Sequence, residues 1–257
     1  MNNQTKRETS LPDDKARQLH KAASRRSFLI GGAAAVAGFA GYEWMATRPQ
    51  ESMSPWPLRR VLSVNEALAH SYLSNEHLTR TYDASDIRPL KPNGEYGLDD
   101  DVDVEAWRLK VDPGGNVNTF SLTLADVMSL PAVTQIVRFH CIEGWSTVVQ
   151  WTGARFADFT RRYLPPGSDM PRYVSMETPD RQYYVGLDIK SALHPQTLLC
   201  YAMNGKPLED EHGAPLRLVI PVKYGIKNIK RVGTIRYTNQ RPRDYWAEQG
   251  YDWFAGL

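Results

Sequence analysis

The sequence predicts an α+β protein with mixed sheets and short helices, in a single domain behind an N-terminal leader, and three observations carry that expectation. Short β-branched and aromatic runs outnumber helical stretches and do not alternate with them regularly, which argues against a doubly wound parallel sheet. The 257 residues, 42% hydrophobic and 23% charged, are enough for one well-filled core and have the composition of a folded soluble protein. No repeat or second composition domain interrupts the chain, so the expected division is a signal region over 1–46, a linker over 47–60 and the folded domain over 61–257.

Residues 1–24 are polar, charged and poor in aromatics, the composition of a disordered segment. Ser24-Arg25-Arg26-Ser27-Phe28-Leu29 follows, then an apolar, small-residue run from Gly31 to Gly41. An arginine pair before so short an apolar stretch fits a twin-arginine export signal, with cleavage expected after Ala40 or Ala46 unless the leader stays as an anchor. Export by that route carries folded proteins and raises the expectation of a buried cofactor and a periplasmic location. The leader also explains the charge: residues 1–40 hold seven of the 31 Lys+Arg and three of the 29 Asp+Glu, leaving 24 against 26. A nearly neutral body excludes nucleic acid as a partner.

Pro49, Pro55 and Pro57 predict an extended linker. A helix is expected from Glu66 to about His77, with Leu68, Tyr72 and Leu73 on one face; His70 and His77, seven apart, are metal ligands or ordinary helix residues. A Pro/Gly-punctuated loop comes next. Asp99-Asp100-Asp101-Val102-Asp103 lacks the glycine and glutamate of a calcium loop and is expected to be solvated. A strand follows over Glu105–Val111, then a turn at Asp112-Pro113-Gly114-Gly115, and Thr123 with Asp126 forms a capping pair for a short helix.

Val133-Thr134-Gln135-Ile136-Val137 reads as a strand that gives way to a turn at Gly144, placing Cys141 at the strand end. Ser146 to Trp151 alternates into a second strand. Thr152-Gly153 is expected to start a helix over Ala154–Leu164, with Phe156 and Phe159 inward and Pro165-Pro166-Gly167 stopping it. Further strands are predicted at Tyr173–Glu177, Tyr183–Leu187, Leu198–Met203, Leu216–Ile220 and Ile229–Thr238, with a turn at Asn204-Gly205. The aromatic tail, Trp246, Tyr251, Trp253 and Phe254, should pack on the body.

Two cysteines are too few for a thiolate zinc site; Cys141 and Cys200 are either one disulfide or two thiols, and Cys141 is also placed to be a metal ligand. Hydrolase signatures such as G-x-S-x-G and H-E-x-x-H are absent, as is a P-loop. Adjacent His140 cannot pair with Cys141 on a strand, because neighbours point to opposite faces; His194 and His212 stay open as partners. A second informative stretch runs from His212-Gly213-Ala214-Pro215-Leu216-Arg217 through Tyr224-Gly225-Ile226-Lys227-Asn228-Ile229-Lys230. Its cations and glycines suit a phosphate group, or else form a basic surface strand facing the acidic loop at Asp99.

In order along the chain, Cys141-Ile142-Glu143-Gly144-Trp145-Ser146, Trp151-Thr152-Gly153, Met203-Asn204-Gly205-Lys206-Pro207-Leu208, His212-Gly213-Ala214-Pro215-Leu216-Arg217 and Lys223-Tyr224-Gly225 with Lys227 and Lys230 resemble the molybdopterin-binding domain of the sulfite oxidase superfamily. The likeness covers about Trp107 to Tyr237 and is greatest to the exported branch that includes bacterial periplasmic methionine-sulfoxide reductases. It implies a sulfite-oxidase-type fold, molybdenum-molybdopterin as cofactor and Cys141 as thiolate ligand to the metal. It further implies that Thr178, His212, Arg217 and Asn228-Ile229-Lys230 hold the pterin and its phosphate, that Tyr82 and Asp83 form another pterin-contacting stretch, and that Glu143 lines the substrate side as a catalytic residue.

Thr79 stands where the reductase branch has an asparagine, His212 replaces another asparagine, and the stretch from Thr178 to Gly186 is shorter. Sulfite-oxidising members carry arginines soon after the ligand cysteine; Glu143 and Trp145 stand there instead, which turns the expected substrate from an anion to a neutral S-oxide or N-oxide. The resemblance thus implies two-electron oxygen-atom transfer, with electrons from a membrane haem subunit or a soluble cytochrome. The alternatives are sulfite oxidation and a cofactor-free exported binding protein with a Cys141–Cys200 disulfide.

Overall fold

The computed structural model describes residues 13–98, 102–115, 117–164 and 169–257. In chain order the elements are α1 (Asp13–Ala46), β1 (Gln50–Glu51), β2 (Ser54–Pro55), α2 (Trp56–Tyr72), β3 (Leu109–Asp112), β4 (Phe120–Leu122), α3 (Leu124–Met128), β5 (Ala132–His140), β6 (Ser146–Arg155), α4 (Phe156–Tyr163), β7 (Tyr173–Glu177), β8 (Tyr184–Asp188), α5 (Ile189–Ala192), β9 (Leu198–Met203), β10 (Lys206–Pro207), β11 (Arg217–Val219), β12 (Thr234–Thr238) and α6 (Tyr245–Glu248). They form two compact units, one of Met1–Gln50 with Pro55–Pro57 and one of Glu51–Ser54 with Leu58–Leu257.

In the first unit α1 is helical from Asp13, where composition predicts disorder over 1–24. From Ser24 to Ala46 this helix is long and apolar enough to cross a membrane, and none of it is buried. Composition expects a stretch too short for a comfortable span; the helix is longer because Tyr42, Trp44 and Met45 extend the apolar run past Gly41.

In the second unit two five-stranded sheets hold the chain. One runs β10-β9-β6-β5 with β11 also on β9, all antiparallel; the other runs β4-β3-β12-β7-β8, with β3 and β12 parallel. This is the predicted mixed α+β class. Both faces of the first sheet are covered: Leu199 and Leu218 point into the larger core, while Trp151, Leu198, Cys200 and Val219 point into a second cluster on the other side. The larger core gathers Leu109, Val111, Phe156, Phe159, Met176, Ile235 and Tyr237, each 0–1% exposed. Burying a phenylalanine of this kind contributes about 1.5–3 kcal/mol. Polar groups inside this core are paired at Tyr237, whose hydroxyl lies 2.8 Å from that of Thr160, and at Tyr183, whose hydroxyl donates to the Ile226 carbonyl at 2.6 Å.

Several elements differ from the sequence expectation for identifiable reasons. The predicted linker 47–60 and helix 66–77 give way to α2, which starts at Trp56, since proline is tolerated in a first helical turn, and ends at Tyr72. His77 closes it by placing Nδ1 2.7 Å from the Tyr72 carbonyl, whereas His70 lies 3.8 Å from an Asp188 oxygen, so the two histidines do not converge. The strand expected over Glu105–Val111 shortens to β3, because the Asp103 carboxylate accepts from the Glu105 and Ala106 amides and holds a turn. Thr152-Gly153 does not start a helix: it is the bulge where β6 shifts register against β9, and a Cβ at Gly153 would stand 2.2 Å from the Leu199 carbonyl oxygen.

The strand predicted from Ile229 begins only at Thr234, the intervening residues passing through Arg231 at φ 47°. Asn204 and Gly205, both at positive φ, turn β9 into β10 as predicted. Trp253 and Phe254 are buried, as expected of the tail. The acidic stretch 99–101 and the helix stop at 165–167 lie outside the described residues.

Candidate active site

β5 and β6 pair through His140 and Ser146, and the five residues between them present Cys141 at the end of the sheet. The Cys141 amide donates to the Trp145 carbonyl at 2.9 Å and the Gly144 amide to the Cys141 carbonyl at 3.1 Å; Gly144 takes φ 91°, which a Cβ would penalise. The thiol is 7% exposed and opens into a cavity of about 270 Å³. Neither Cys141 nor Cys200 is in a disulfide. That removes the disulfide on which the binding-protein alternative rests.

The opposite wall comes from the second informative stretch. A 3-10 turn, Asp210–His212, ends at Gly213 in the left-handed region, where a Cβ would press on the Lys230 and Arg231 backbone at 2.8 Å. His212, Arg217, Asn228 and Lys230 all line the cavity with Cys141. Gly225 closes the wall against β5, its Cα so near Phe139 that a Cβ would lie 2.6 Å from the ring.

Arg217 is the electrostatic centre of this wall. It is 2% exposed, donates to the His212 carbonyl at 2.9 Å and the Asn228 carbonyl at 3.2 Å, and lies over the Trp151 ring. Among the described residues it makes no ion pair with a carboxylate, and its Nε has no hydrogen-bond partner. Burial pushes its pKa down to about 10. Burial and then Arg217 lower His212, whose Nδ1 is likewise unpartnered; the same two causes push Lys230 down to about 8. Glu211 lies 3.4 Å from His212 and acts on Lys230 as well, but Arg217 itself meets no acid among the described residues, and a buried guanidinium without counter-charge matches an anionic ligand.

The remaining wall is the loop through Lys91, Asn93, Gly94 and Tyr96. Lys230 Nζ donates to the Gly94 carbonyl at 3.0 Å, and Gly97, at φ 80°, sits against Thr178. Asn93 Nδ2 donates to Cys141 Sγ at 3.4 Å. Glu143 accepts from Trp145 Nε1 at 3.0 Å; hydrogen bonds from Trp145 and then Asn93 hold its carboxyl below the usual range. Trp145, Trp246 and Tyr251 complete an aromatic lining.

Of the residues singled out in the sequence, Cys141, Glu143, His212, Arg217, Asn228 and Lys230 meet in this cavity. Thr178 does not line it: its hydroxyl donates to Asp180 and accepts from the Tyr183 amide, beneath the 91–97 loop. Ile229 faces the larger core, its carbonyl accepting from Leu218. Tyr82 lies between the Arg80 and Arg138 guanidiniums, 5.0 and 5.2 Å from its ring centre, and Asp83 is exposed; neither lines the cavity. Asn93 and Tyr96 carry no site signal in the sequence, and Trp246 and Tyr251, expected only to pack on the body, line the cavity. The Asn93-Gly94 pair signals a turn, but no local pattern says which cysteine a turn faces.

A cysteine sulfur facing a buried, unpaired arginine across one cavity fits the class of redox enzymes whose metal is carried on an anionic organic cofactor. The description "oxidoreductase molybdopterin binding domain" matches residues 96–246, and the chain belongs to that family. The family is one of oxidoreductase domains, and the cofactor it implies is molybdenum-molybdopterin. The chain is 37% identical over 171 residues to a putative protein-methionine-sulfoxide reductase subunit of Azospira oryzae, covering 66% of this chain and 64% of that protein. To the catalytic subunit of a protein-methionine-sulfoxide reductase of Xanthomonas campestris it is 34% identical over 221 residues, 77% of this chain and 66% of that one. The chain spans about two thirds of the length of these curated relatives. The sulfane dehydrogenase SoxCD of Paracoccus pantotrophus aligns at a TM-score of 0.49 and 18% identity, over 55% of this chain and 40% of that one.

The residues present fit the cofactor. Arg217, with no carboxylate and an unpartnered Nε, and the unpartnered His212 Nδ1 suit its phosphate, and Cys141 in the same cavity offers the sulfur.

Proposed function

We propose that the chain reduces an S-oxide or N-oxide by two-electron oxygen-atom transfer, taking R₂S=O, two protons and two electrons to R₂S and water. The observation that carries this reading is the make-up of one cavity: Cys141 and the unpaired Arg217 at its cofactor side, Glu143 and aromatic rings where an anion-binding site would need arginine. When bound, molybdenum-molybdopterin supplies a metal that exchanges an oxygen atom with substrate in a two-electron step.

The chain's own residues bind and orient. Cys141 is the thiolate ligand; His212, Arg217, Asn228 and Lys230 hold the pterin and its phosphate. Thr178 acts from behind by supporting the 91–97 loop, and Ile229 by fixing the backbone between Asn228 and Lys230 in the core. Tyr82 and Asp83 keep only the support of the family resemblance. Glu143, kept ionised by Trp145 and Asn93, repels anions such as sulfite, and Trp145, Trp246 and Tyr251 offer polarisable faces to a sulfur substituent.

The segment Ser24-Arg25-Arg26-Ser27-Phe28-Leu29 and the apolar α1 support export by the twin-arginine machinery to the periplasm, with α1 either removed or retained as an anchor. There a membrane haem subunit or a soluble cytochrome delivers the electrons; the word subunit in the relatives' names supports such a partner. Metal and pterin analysis of native protein, followed by assays with a reduced viologen against sulfoxides and N-oxides and with sulfite plus an acceptor, tests the reading. About one molybdenum per chain and turnover of a neutral oxide are expected. A chain without molybdenum, or one that turns over sulfite alone, overturns it.

A further inference from the structure

Asn93 carries no site signal of its own in the sequence, yet it lines the cavity beside Cys141 and Glu143. Its Nδ2 is 3.4 Å from Cys141 Sγ, and it also hydrogen-bonds the Glu143 carboxylate, which Trp145 Nε1 holds at 3.0 Å from the other side. A cysteine sulfur that holds a metal carries no proton and only accepts, so the amide turns its NH₂ group toward it.

The loop that carries Asn93 is fixed independently at three points. Lys230 Nζ holds the Gly94 carbonyl at 3.0 Å, Tyr96 packs 5.0 Å from Tyr245 between ring centres, and Gly97 rests on Thr178. An asparagine displayed by so anchored a loop is poised without help from substrate.

We propose that Asn93 is a positioning residue that links Cys141 and Glu143 in one hydrogen-bonded chain and sets the reduction potential of the metal that Cys141 binds. The inference rests on the cofactor assignment above. A hydrogen bond to a thiolate sulfur draws electron density from it, weakens its donation to the metal and favours the electron-rich, reduced state. Losing that bond shifts the potential negative. The same amide holds Glu143 at a fixed reach, so both effects travel together.

The test is a redox titration of the molybdenum couple, followed by electron paramagnetic resonance, on purified holoenzyme of the parent, Asn93→Leu, Asn93→Gln and Glu143→Gln. Parent without molybdenum would refute the cofactor assignment and is seen before any variant is compared. With molybdenum present throughout, Asn93→Leu is expected to titrate at a more negative potential with an altered spectrum, and Asn93→Gln to return toward the parent. Glu143→Gln, which keeps the Asn93 to Cys141 bond, is expected to shift less than Asn93→Leu. Parent-like potential and spectrum in Asn93→Leu overturn the proposal. So does loss of molybdenum from both Asn93 variants, which would make the residue one that retains the cofactor.

Discussion

The Arg217 guanidinium lies 4.7 Å from the centre of the Trp151 ring, and its Nε finds no partner. The aromatic face stabilises the cation but cannot neutralise it, so its counter-charge comes from the ligand. Arg217→Met is expected to bind the cofactor about ten- to hundredfold less well, the loss of one charged hydrogen bond of about 1.5–3 kcal/mol. The increment in Tm between cofactor-free and loaded protein should shrink in the variant, which differential scanning calorimetry reads directly.

Cys141→Ser replaces a soft donor with a hard one in the same space. Molybdenum per chain should drop by about tenfold or more while the circular dichroism spectrum stays that of the parent, because Cys141 packs at the cavity edge and not in the larger core. Unchanged metal content on elemental analysis would remove Cys141 from the ligand set.

Lys230 titrates from about 8 in place of its ordinary 10.5, pushed down by burial and by Arg217. An ammonium whose native pKa is depressed costs stability while charged, and between pH 8 and 10.5 the unfolded chain binds the extra proton. Stability of the cofactor-free protein therefore rises with pH across that window through this group, and Lys230→Met should flatten the rise. With an anionic ligand bound the pKa recovers and the slope diminishes, a contrast that urea titrations at three pH values would resolve.

Gly97→Ala sets a methyl 2.3 Å from Thr178 Cγ2 at a φ of 80°. A local cost of about 1–3 kcal/mol is expected, together with faster amide exchange over residues 94–98 and weaker cofactor retention. Hydrogen exchange by mass spectrometry separates this from a global loss of stability.

Thr123 accepts from the Asp126 amide at 3.2 Å while Asp126 accepts from the Thr123 amide at 2.7 Å. Thr123→Ala should cost about 1 kcal/mol in chemical denaturation with the cavity untouched, since α3 lies away from its lining.

That capping pair was legible because both partners sit within four residues, as was Cys141 at the strand end, where a β-branched run meets Gly144. The Asn204-Gly205 turn follows from two residues that accept positive φ. Glycine misleads where the demand is tertiary: Gly153 looks like a helix start, but it is there because the β9 backbone comes within reach of its absent side chain. Asn93 reaches Cys141 across 48 positions of sequence, a relation no periodicity encodes. The cations are visible as residue types, while the lack of a carboxylate beside Arg217 becomes visible only when the folded neighbours are known. Tyr82 shows the converse, since a local match in sequence did not bring it to the cavity.

The first sheet carries a practical consequence. With Trp151 and Cys200 behind it and no acid on that face, Arg217 can be discharged only from the open side of the cavity. Cofactor-free protein is therefore a sink for whatever small oxyanion its buffer contains. Phosphate or sulfate used in purification would occupy the seat, raise the melting temperature and compete with reconstitution, so loading is best attempted in chloride or in a buffer with no oxyanion at all.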